Sequence, residues 1–383
     1  MKKTLIALAA MGAFAGSAMA QSAPSSLTIY GIIDLGIVKQ SNPDDATTAL
    51  PLGGAGLGTN QVSVNQATKS RLGFKGVEDL GGGWSAKFDL QHRLLPDTGS
   101  VNTSGGNNFW DMSIVGLTSQ TYGEVTIGRD YGPTFYVQYL LDPWLNQGIA
   151  EVGGSTYGFA GYLSPFGHGS RYNNGVYYKA LYEGLTVLAS AGMSETYGVD
   201  NRYGVGFMYN AGPLAAYLAY DQDASAIRTT KKDHLLQIGA SYDFGVIKPR
   251  ILIAQSKLQS AFGGEIKPVA VTLSATVPVS TGLIKVGYAQ LNWKDGNPLA
   301  QLTPAGQYAA AVKAGNAAAA GAAAAEGLKY ANGDNTKTNK FSLGYEHTLS
   351  KRTALYTDAT FGKAKGVTQA TVNGIDFGIR HAF

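Results

Sequence analysis

Five histidines could carry acid–base or metal chemistry: His92, His168, His234, His347 and His381. A helical zinc site needs two of them four residues apart, so that both imidazoles leave one face. No two stand in that relation, and they read as scattered loop or strand-surface residues. The chain has no cysteine, which removes thiolate ligands, thiol nucleophiles and disulfides together. The run GGAGLG at 53–58 has the glycines of a phosphate-cradling loop. Neither a strong strand before it nor a helix after it supplies the frame such a loop requires, so it reads as a surface loop. Serines are many, but no motif selects one as a nucleophile beside a fixed histidine. No metal, cofactor or catalytic set is expected.

The charges that remain fall into a two-residue rhythm. In SRLGFKGVEDL (70–80), Arg71, Gly73 and Lys75 oppose Leu72 and Phe74. In GWSAKFDLQHRL (83–94), Lys87, Asp89, Gln91 and Arg93 oppose Trp84, Phe88 and Leu90. In RYNNGVYYKA (171–180), Arg171, Asn173 and Lys179 oppose Tyr172, Val176 and Tyr178. Successive side chains of a strand leave on opposite faces, so each stretch is a strand with one apolar and one charged side. Rows of fixed charge on a wet face steer ions and dipoles without making or breaking bonds. VTIGRDY departs from the rhythm, because strict alternation puts Arg129 with Val125 and Ile127. The strand must bulge or bend near Gly128 for Arg129 to join the charged side. The long segment that follows, 131–169, carries Asp142 and Glu151, with Asp130 just before it, amid aromatic and glycine residues.

The same alternation recurs along the whole chain. It is clear in LTIYGIIDLGI (27–37), LLQIGASYDFG (235–245) and KPVAVTLSATV (267–277), and weaker near 107–118, 213–221 and 353–362. The chain ends NGIDFGIRHAF, with Ile375, Phe377, Ile379, His381 and Phe383 on one side of the pattern. In a soluble sheet this reads as core against water; in an outer-membrane barrel it reads as lipid against a wet lumen. The N-terminus selects a compartment. Lys2 and Lys3 precede an apolar stretch from Leu5 to Phe14 and then Ala18-Met19-Ala20. That is the form of a secretory signal peptide, residues 1–20, expected to be cleaved before Gln21. Removing 20 of 383 residues leaves 363, with 28 basic against 26 acidic side chains, a net charge of +2. So small a balance implies no nucleic-acid partner.

No later stretch reaches the roughly 18–20 apolar residues of a membrane helix. The nearest, Ala309–Ala325, is interrupted by Lys313, Asn316 and glycines and reads as a loop. About sixteen alternating segments fit strands of about 9–11 residues. Short turns at 79–83, 121–123, 210–213 and 350–352 alternate with long connections at 39–67, 95–107, 131–169, 222–233, 255–267 and 294–338. The first strand starts close to the cleavage site and the last ends at the C-terminus, so the two can pair and leave no open edge. The expected fold is therefore all-β: one closed antiparallel transmembrane β-barrel of about 16 strands, filling 21–383.

The motifs SSLTIYGIIDLG (25–36), SRLGFKGVEDLGGG (70–83), GEVTIGRDYGP (123–133), SRYNNGVYYK (170–179), FSLGYEHTLSKRTALY (341–356) and GIRHAF (378–383) carry a resemblance. In their order and spacing the chain resembles the general porins of Gram-negative outer membranes, in the branch typical of beta-proteobacteria. The resemblance implies a homotrimer in the outer membrane, in contact with lipid and lipopolysaccharide, that passes small hydrophilic solutes and ions. It implies that the third long loop, 131–169, folds into the barrel and narrows it. By motif it places Arg71, Arg129 and Arg171 on a basic wall at the constriction, with Lys75 and Lys87 as neighbours. Asp142, Glu151 and Asp130 would face them from the loop side. Opposed charges across a narrow wet gap make a transverse field, and the excess of arginine leans the pore toward anions. The terminal pattern Ile375, Phe377, Ile379 and Phe383 resembles the signal read by the barrel-assembly machinery. His381 shares that outward side, where a cation is costly at mid-depth and cheap near an interface.

Other readings of the same residues differ in testable ways. A substrate-specific channel, for sugars for example, has the same fold, and the tyrosines of 131–169 could form its aromatic ladder. An outer-membrane hydrolase needs a nucleophile and a histidine fixed near one rim, and no motif provides them. An energy-driven transporter needs a plug domain ahead of the barrel. A secreted adhesin or lectin would be soluble without detergent.

Overall fold

The computed structural model describes residues 26–41, 62–101, 109–152, 170–195, 201–224, 232–259, 265–294, 336–365 and 370–383. The expected signal peptide, the GGAGLG run, His168, residues 153–169 of the long segment and Ala309–Ala325 lie outside them. In chain order the elements are β1 (Ser26–Ser41), β2 (Val62–Asn65), β3 (Arg71–Gly81), β4 (Trp84–Leu95), β5 (Ser100–Val101), β6 (Trp110–Ser119), β7 (Gly123–Tyr131) and the helix α1 (Pro133–Leu141). There follow β8 (Arg171–Tyr182), β9 (Leu185–Gly192), β10 (Arg202–Ala211), β11 (Leu214–Ala224), β12 (Lys232–Tyr242) and β13 (Lys248–Gln259). The last five are β14 (Glu265–Val279), β15 (Gly282–Lys294), β16 (Thr336–Thr348), β17 (Thr353–Lys365) and β18 (Ala370–Ala382).

Neighbours in the chain pair antiparallel all the way round, and β1 closes the ring. It pairs with β18 from Ile32 to Ser41, with β3 from Ser26 to Ile32 and with β2 from Gly36 to Lys39. The backbone of Gly31 exchanges hydrogen bonds of 3.0 and 3.1 Å with Phe383, so the final residue takes part in closure. β2 and β3 lie end to end beside β1 and make one wall strand, interrupted at 66–70. Asp34 mends that gap: its carboxylate accepts the backbone N–H groups of Ala67 and Thr68 at 3.1 and 3.0 Å, and the Tyr356 hydroxyl at 2.6 Å. β5 pairs only with β4, in a separate small sheet. With β2 and β3 counted once and β5 set aside, the 18 strands of the sheet reduce to a sixteen-stranded barrel.

Burial decides between soluble core and lipid-facing wall, because it is inverted. On β12, Leu236, Ile238 and Tyr242 are exposed while Gln237 and Ser241 are buried. On β1, Leu27, Ile29, Ile33 and Ile37 are exposed while Asp34 is buried. On β18, Ile375, Phe377 and Ile379 face outward beside buried Asp376. Aromatics cluster on the outer face next to the short turns, including Trp84, Tyr122, Tyr182, Tyr209, Tyr242 and Phe244, and again near the long-loop end, including Phe109, Tyr203, Tyr220, Phe341 and Phe361. Two belts flanking an apolar band are what a bilayer asks of a barrel. His381 lies at the turn-side belt, with its Nδ1 2.9 Å from the Thr353 hydroxyl. Among the described residues no helix is long and apolar enough to cross a membrane; the crossing elements are strands.

The outward apolar face makes a direct expectation. Ile253 lies midway along β13 and is 45 % exposed. Ile253→Arg should destabilise the barrel by about 2–4 kcal/mol, the cost of arginine near the bilayer midplane. Urea unfolding in lipid vesicles checks this; an unchanged midpoint would mean that the face does not meet lipid.

Candidate functional site

Residues 133–152 pack on the inner, polar face of the wall. Pro133 opens α1, where its missing N–H costs nothing and its fixed φ suits the first turn. Val137 and Leu141 bury against Ala219 and Leu252, which alternate with lipid-facing Leu218 and Ile253. Gly239 makes room for this contact: a Cβ there would stand 2.2 Å from Leu141 Cδ1. Thr134 Oγ1 donates to Asp221 at 2.6 Å, Ser274 Oγ to the Leu141 carbonyl at 3.2 Å and Trp144 Nε1 to Asp358 at 2.6 Å. On the far side, Gln147 Oε1 accepts the Lys69 backbone N–H at 2.7 Å. The segment is thus tied to β11, β14, β17 and the interrupted strand.

Three arginines meet at Asp111, and a fourth, Arg71, stands across from one of them. Arg93 lies on the inner face of β4, directly across from Arg71 on β3. Its Nε donates to Asp111 Oδ2 at 2.6 Å, Nη1 to the Lys69 carbonyl at 2.9 Å and Nη2 to the Tyr131 hydroxyl at 3.1 Å. Arg171 donates to the same Asp111 oxygen at 2.5 Å and to the Tyr131 hydroxyl, and its guanidinium lies 3.9 Å from the Tyr131 ring centre. Arg129 Nε donates to the Asp111 carbonyl at 3.2 Å, and Nη1 to Asn173. Charge-assisted bonds of this kind are the strong ones, and here they converge on a carboxylate with little water of its own (15 % side-chain exposure).

Bulges create this convergence. Gly128 has φ +130, and the register of β7 against β8 shifts between Gly128 and Asp130. Gly128 is thus the bend that the sequence required near Arg129, but the extra residue of the shift lies on β8, where Asn173 and Asn174 both stand opposite Arg129; against β6, Arg129 keeps its register opposite Ser113. A second shift between Gln91 and His92 leaves Asp111 as an extra residue between Trp110 and Met112. The extra residue on β8 is accommodated at Asn174, with φ +50. It changes the parity of β8, so Tyr172 is buried inside while Val176 and Tyr178 stay outside. The sequence grouped Tyr172 with those two. Instead its hydroxyl donates to Asp221 at 2.9 Å beneath the Arg202 guanidinium.

A family model described as Gram-negative porin matches residues 7–367. The chain belongs to the Gram-negative porins. It is 34 % identical to outer membrane porin protein 32 of Delftia acidovorans and 30 % identical to an outer membrane porin protein of Bordetella pertussis, with the whole of each chain covered. The solved structure of an anion-selective porin from Comamonas acidovorans superimposes with a TM-score of 0.70 at 28 % identity, covering 94 % of this chain and all of that one. OmpT of Vibrio cholerae in its trimer form shares the fold at 12 % identity, with a TM-score of 0.62 over 94 % of this chain and all of that one. The porin is a protein of the outer membrane.

Of the basic residues the sequence singled out, the porin brings Arg129 and Arg171 together at Asp111, sets Arg71 across from Arg93, and places Lys75 and Lys87 farther along the strands. Lys75 is four residues along β3 from Arg71, about 13 Å at strand rise, with its Nζ over the Tyr30 ring. Lys87 is six residues along β4 from Arg93, about 20 Å away, and pairs with Glu124 at 2.8 Å. The acidic residues differ more from the expected arrangement. Asp142 is buried at 1 % exposure, and its carboxylate accepts the backbone N–H groups of Trp144, Asn146 and Val152 at 3.0, 3.1 and 3.1 Å. The physical reason is that a buried turn must satisfy its own amides, and this carboxylate does so. Glu151 is also buried at 1 % exposure, and its carbonyl accepts Lys340 Nζ at 2.7 Å. Asp130 is buried at the mouth of the loop beneath Tyr136. Burial first, and then the Asp130 charge, hold the Tyr136 phenol well above its ordinary range. The carboxylate that Arg93 and Arg171 bond directly is Asp111, which the alternation hid among outward residues; Asp130 also lies within electrostatic reach of Arg171.

Asp142 therefore staples the loop. Asp142→Ala strips three buried amides of their acceptor, at about 1–3 kcal/mol for an unsatisfied group. The expected outcome is a loosened segment: faster proteolytic nicking within 142–152 and a noisier single-channel current. A current trace and cleavage rate like those of the unaltered porin would contradict this role.

Proposed function

We propose that this protein is a general diffusion porin, passing small hydrophilic solutes and ions through a water-filled lumen, with a preference for anions. The observation that carries the reading is the group Arg93, Arg129 and Arg171 at Asp111, with Arg71 directly across from Arg93 on the neighbouring strand. Fixed cations in a confined lumen raise the local concentration of anions and lower that of cations. In this reading the inward segment after β7 narrows the lumen beside the arginines. The anion-selective character of the Comamonas relative supports the assignment. Lys75 and Lys87, farther toward the short turns, extend the positive wall.

The working form is a homotrimer in lipid and lipopolysaccharide. Residues 1–20 act as a cleaved export signal, and Ile375, Phe377, Ile379 and Phe383 address the chain to the assembly machinery. A channel rather than a hydrolase is favoured by the porin relatives. A sugar-specific channel finds support in the half-buried aromatics of α1, Phe135, Tyr136 and Tyr139. Swelling of liposomes carrying the purified protein separates the two. A general porin admits neutral sugars at rates that fall smoothly with solute size. One sugar entering far faster than others of its size would overturn the general reading.

A further inference from the structure

Charge sorting alone does not require the face that α1 turns away from the wall. Pro133, Thr134, Val137, Gln138 and Leu141 are buried against the barrel. Phe135, Tyr136 and Tyr139 are half-buried and Leu140 is exposed. No residue of PTFYVQYLL carries a charge. The Phe135 ring stacks on Tyr131 with centroids 3.8 Å apart and lies 6.0 Å from the Tyr139 ring. The Arg171 guanidinium is 3.9 Å from the Tyr131 centroid, and groups that close must occupy opposite faces of the ring. The aromatic row thus runs straight out of the arginine group.

Within that group, three guanidinium ions are committed to protein partners: Arg93 and Arg171 to Asp111 and Tyr131, and Arg129 to the Asp111 carbonyl and Asn173. Arg71 is different. It is half-buried on the inner face, with no ion pair or hydrogen bond among the described residues. The groups within its electrostatic reach are Arg93, then Tyr139, Tyr131 and Tyr30, and the Asp89 carboxylate, which the Tyr30 hydroxyl holds at 2.5 Å. A solute carboxylate can replace water on such a guanidinium with two parallel hydrogen bonds. A planar body attached to that carboxylate would lie along the rings, in the offset or edge-on geometries aromatic pairs prefer.

We propose that Arg71 and the Phe135–Tyr139 face of α1 form a subsite for aromatic carboxylates, which the pore binds in preference to aliphatic anions of equal size and charge. The inference rests on the anion-preferring pore proposed above and narrows its solute class. Arg71 supplies the charge recognition, and the helix face supplies the discrimination.

The test uses two acids of the same ring size and charge, benzoate and cyclohexanecarboxylate, added as sodium salts to the porin in a planar bilayer carrying chloride current. Simple hydrophobicity favours the saturated ring, whereas stacking favours benzoate. Benzoate should reduce the current at a concentration about 2- to 10-fold lower, the range an aromatic pair supplies. Phe135→Leu combined with Tyr139→Leu should bring the ratio of the two acids to about one. Arg71→Gln should raise the concentration needed for both acids. Should the double variant fail to insert, Phe135→Tyr keeps an aromatic face and should keep the ratio; a ratio near one there overturns the subsite. Equal block by both acids in the unaltered porin, or a ratio that survives the double leucine change, also overturns it and leaves the anion pore standing. Potassium preference with no block by either acid would instead overturn the proposed function.

Discussion

Asp111→Asn should destabilise the folded barrel by about 3 kcal/mol or more, the scale for removing one partner of a buried ion pair. Asp111 is the carboxylate shared by Arg93 and Arg171, at 2.6 and 2.5 Å. Its loss leaves two guanidinium ions of low exposure facing each other, with Arg71 across the strand pair. Asparagine keeps the shape and one acceptor but not the charge, so the change isolates electrostatics from packing. Urea midpoints in lipid vesicles measure the cost. A midpoint within error of the unaltered protein would mean that lumen water screens the group, as it does exposed pairs. The same variant should pass chloride over potassium at least as well as before, because it removes the negative charge from the group. Stability and selectivity therefore move in opposite directions.

Arg71→Glu should do the reverse. Arg71 faces Arg93 across the β3–β4 pair, and like charges so placed are unfavourable. Glutamate at 71 gives Arg93 a partner but takes a cation from Asp89, so the barrel should lose little stability. Selectivity should change sharply, because one substitution alters the local charge by two units. A unit charge acts on another 4 Å away with about 1 kcal/mol in water. Two units acting oppositely on chloride and potassium therefore change their permeability ratio by about tenfold or more. Reversal potentials of the variant and parent in a salt gradient read this ratio. A shift of less than about twofold would place Arg71 away from the path that ions take, since the Coulomb estimate at contact is far larger.

The fold was legible in the sequence because the barrel imposes its two-residue period on every wall strand. The segments at 27–37, 70–80, 83–94, 235–245 and 267–277 lie on β1, β3, β4, β12 and β14, and even the weaker ones near 107–118, 213–221 and 353–362 fall on β6, β11 and β17. The site was less legible because it is made where that period fails. Arg129 could be anticipated, since a glycine stands beside the misplaced arginine. Asp111 could have been found by the same sign: a lone carboxylate whose parity puts it among Ser113 and Val115 on a lipid-facing row. Arg93 had the right parity and lacked only a reason to be singled out. Tyr172 could not be placed from alternation, because the left-handed Asn174 that reverses the pattern follows it. Asp142 and Glu151 show the other limit. Alternation says nothing about a loop, and a carboxylate in a buried turn answers first to nearby backbone amides.

The central claim is that the arginines around Asp111 stand beside the path of the ions and set its charge preference. The most direct measurement is the zero-current potential of the unaltered porin in a planar bilayer separating concentrated from dilute potassium chloride. The account predicts the sign of a membrane more permeable to chloride. A potential of the opposite sign, showing faster passage of potassium, would contradict it.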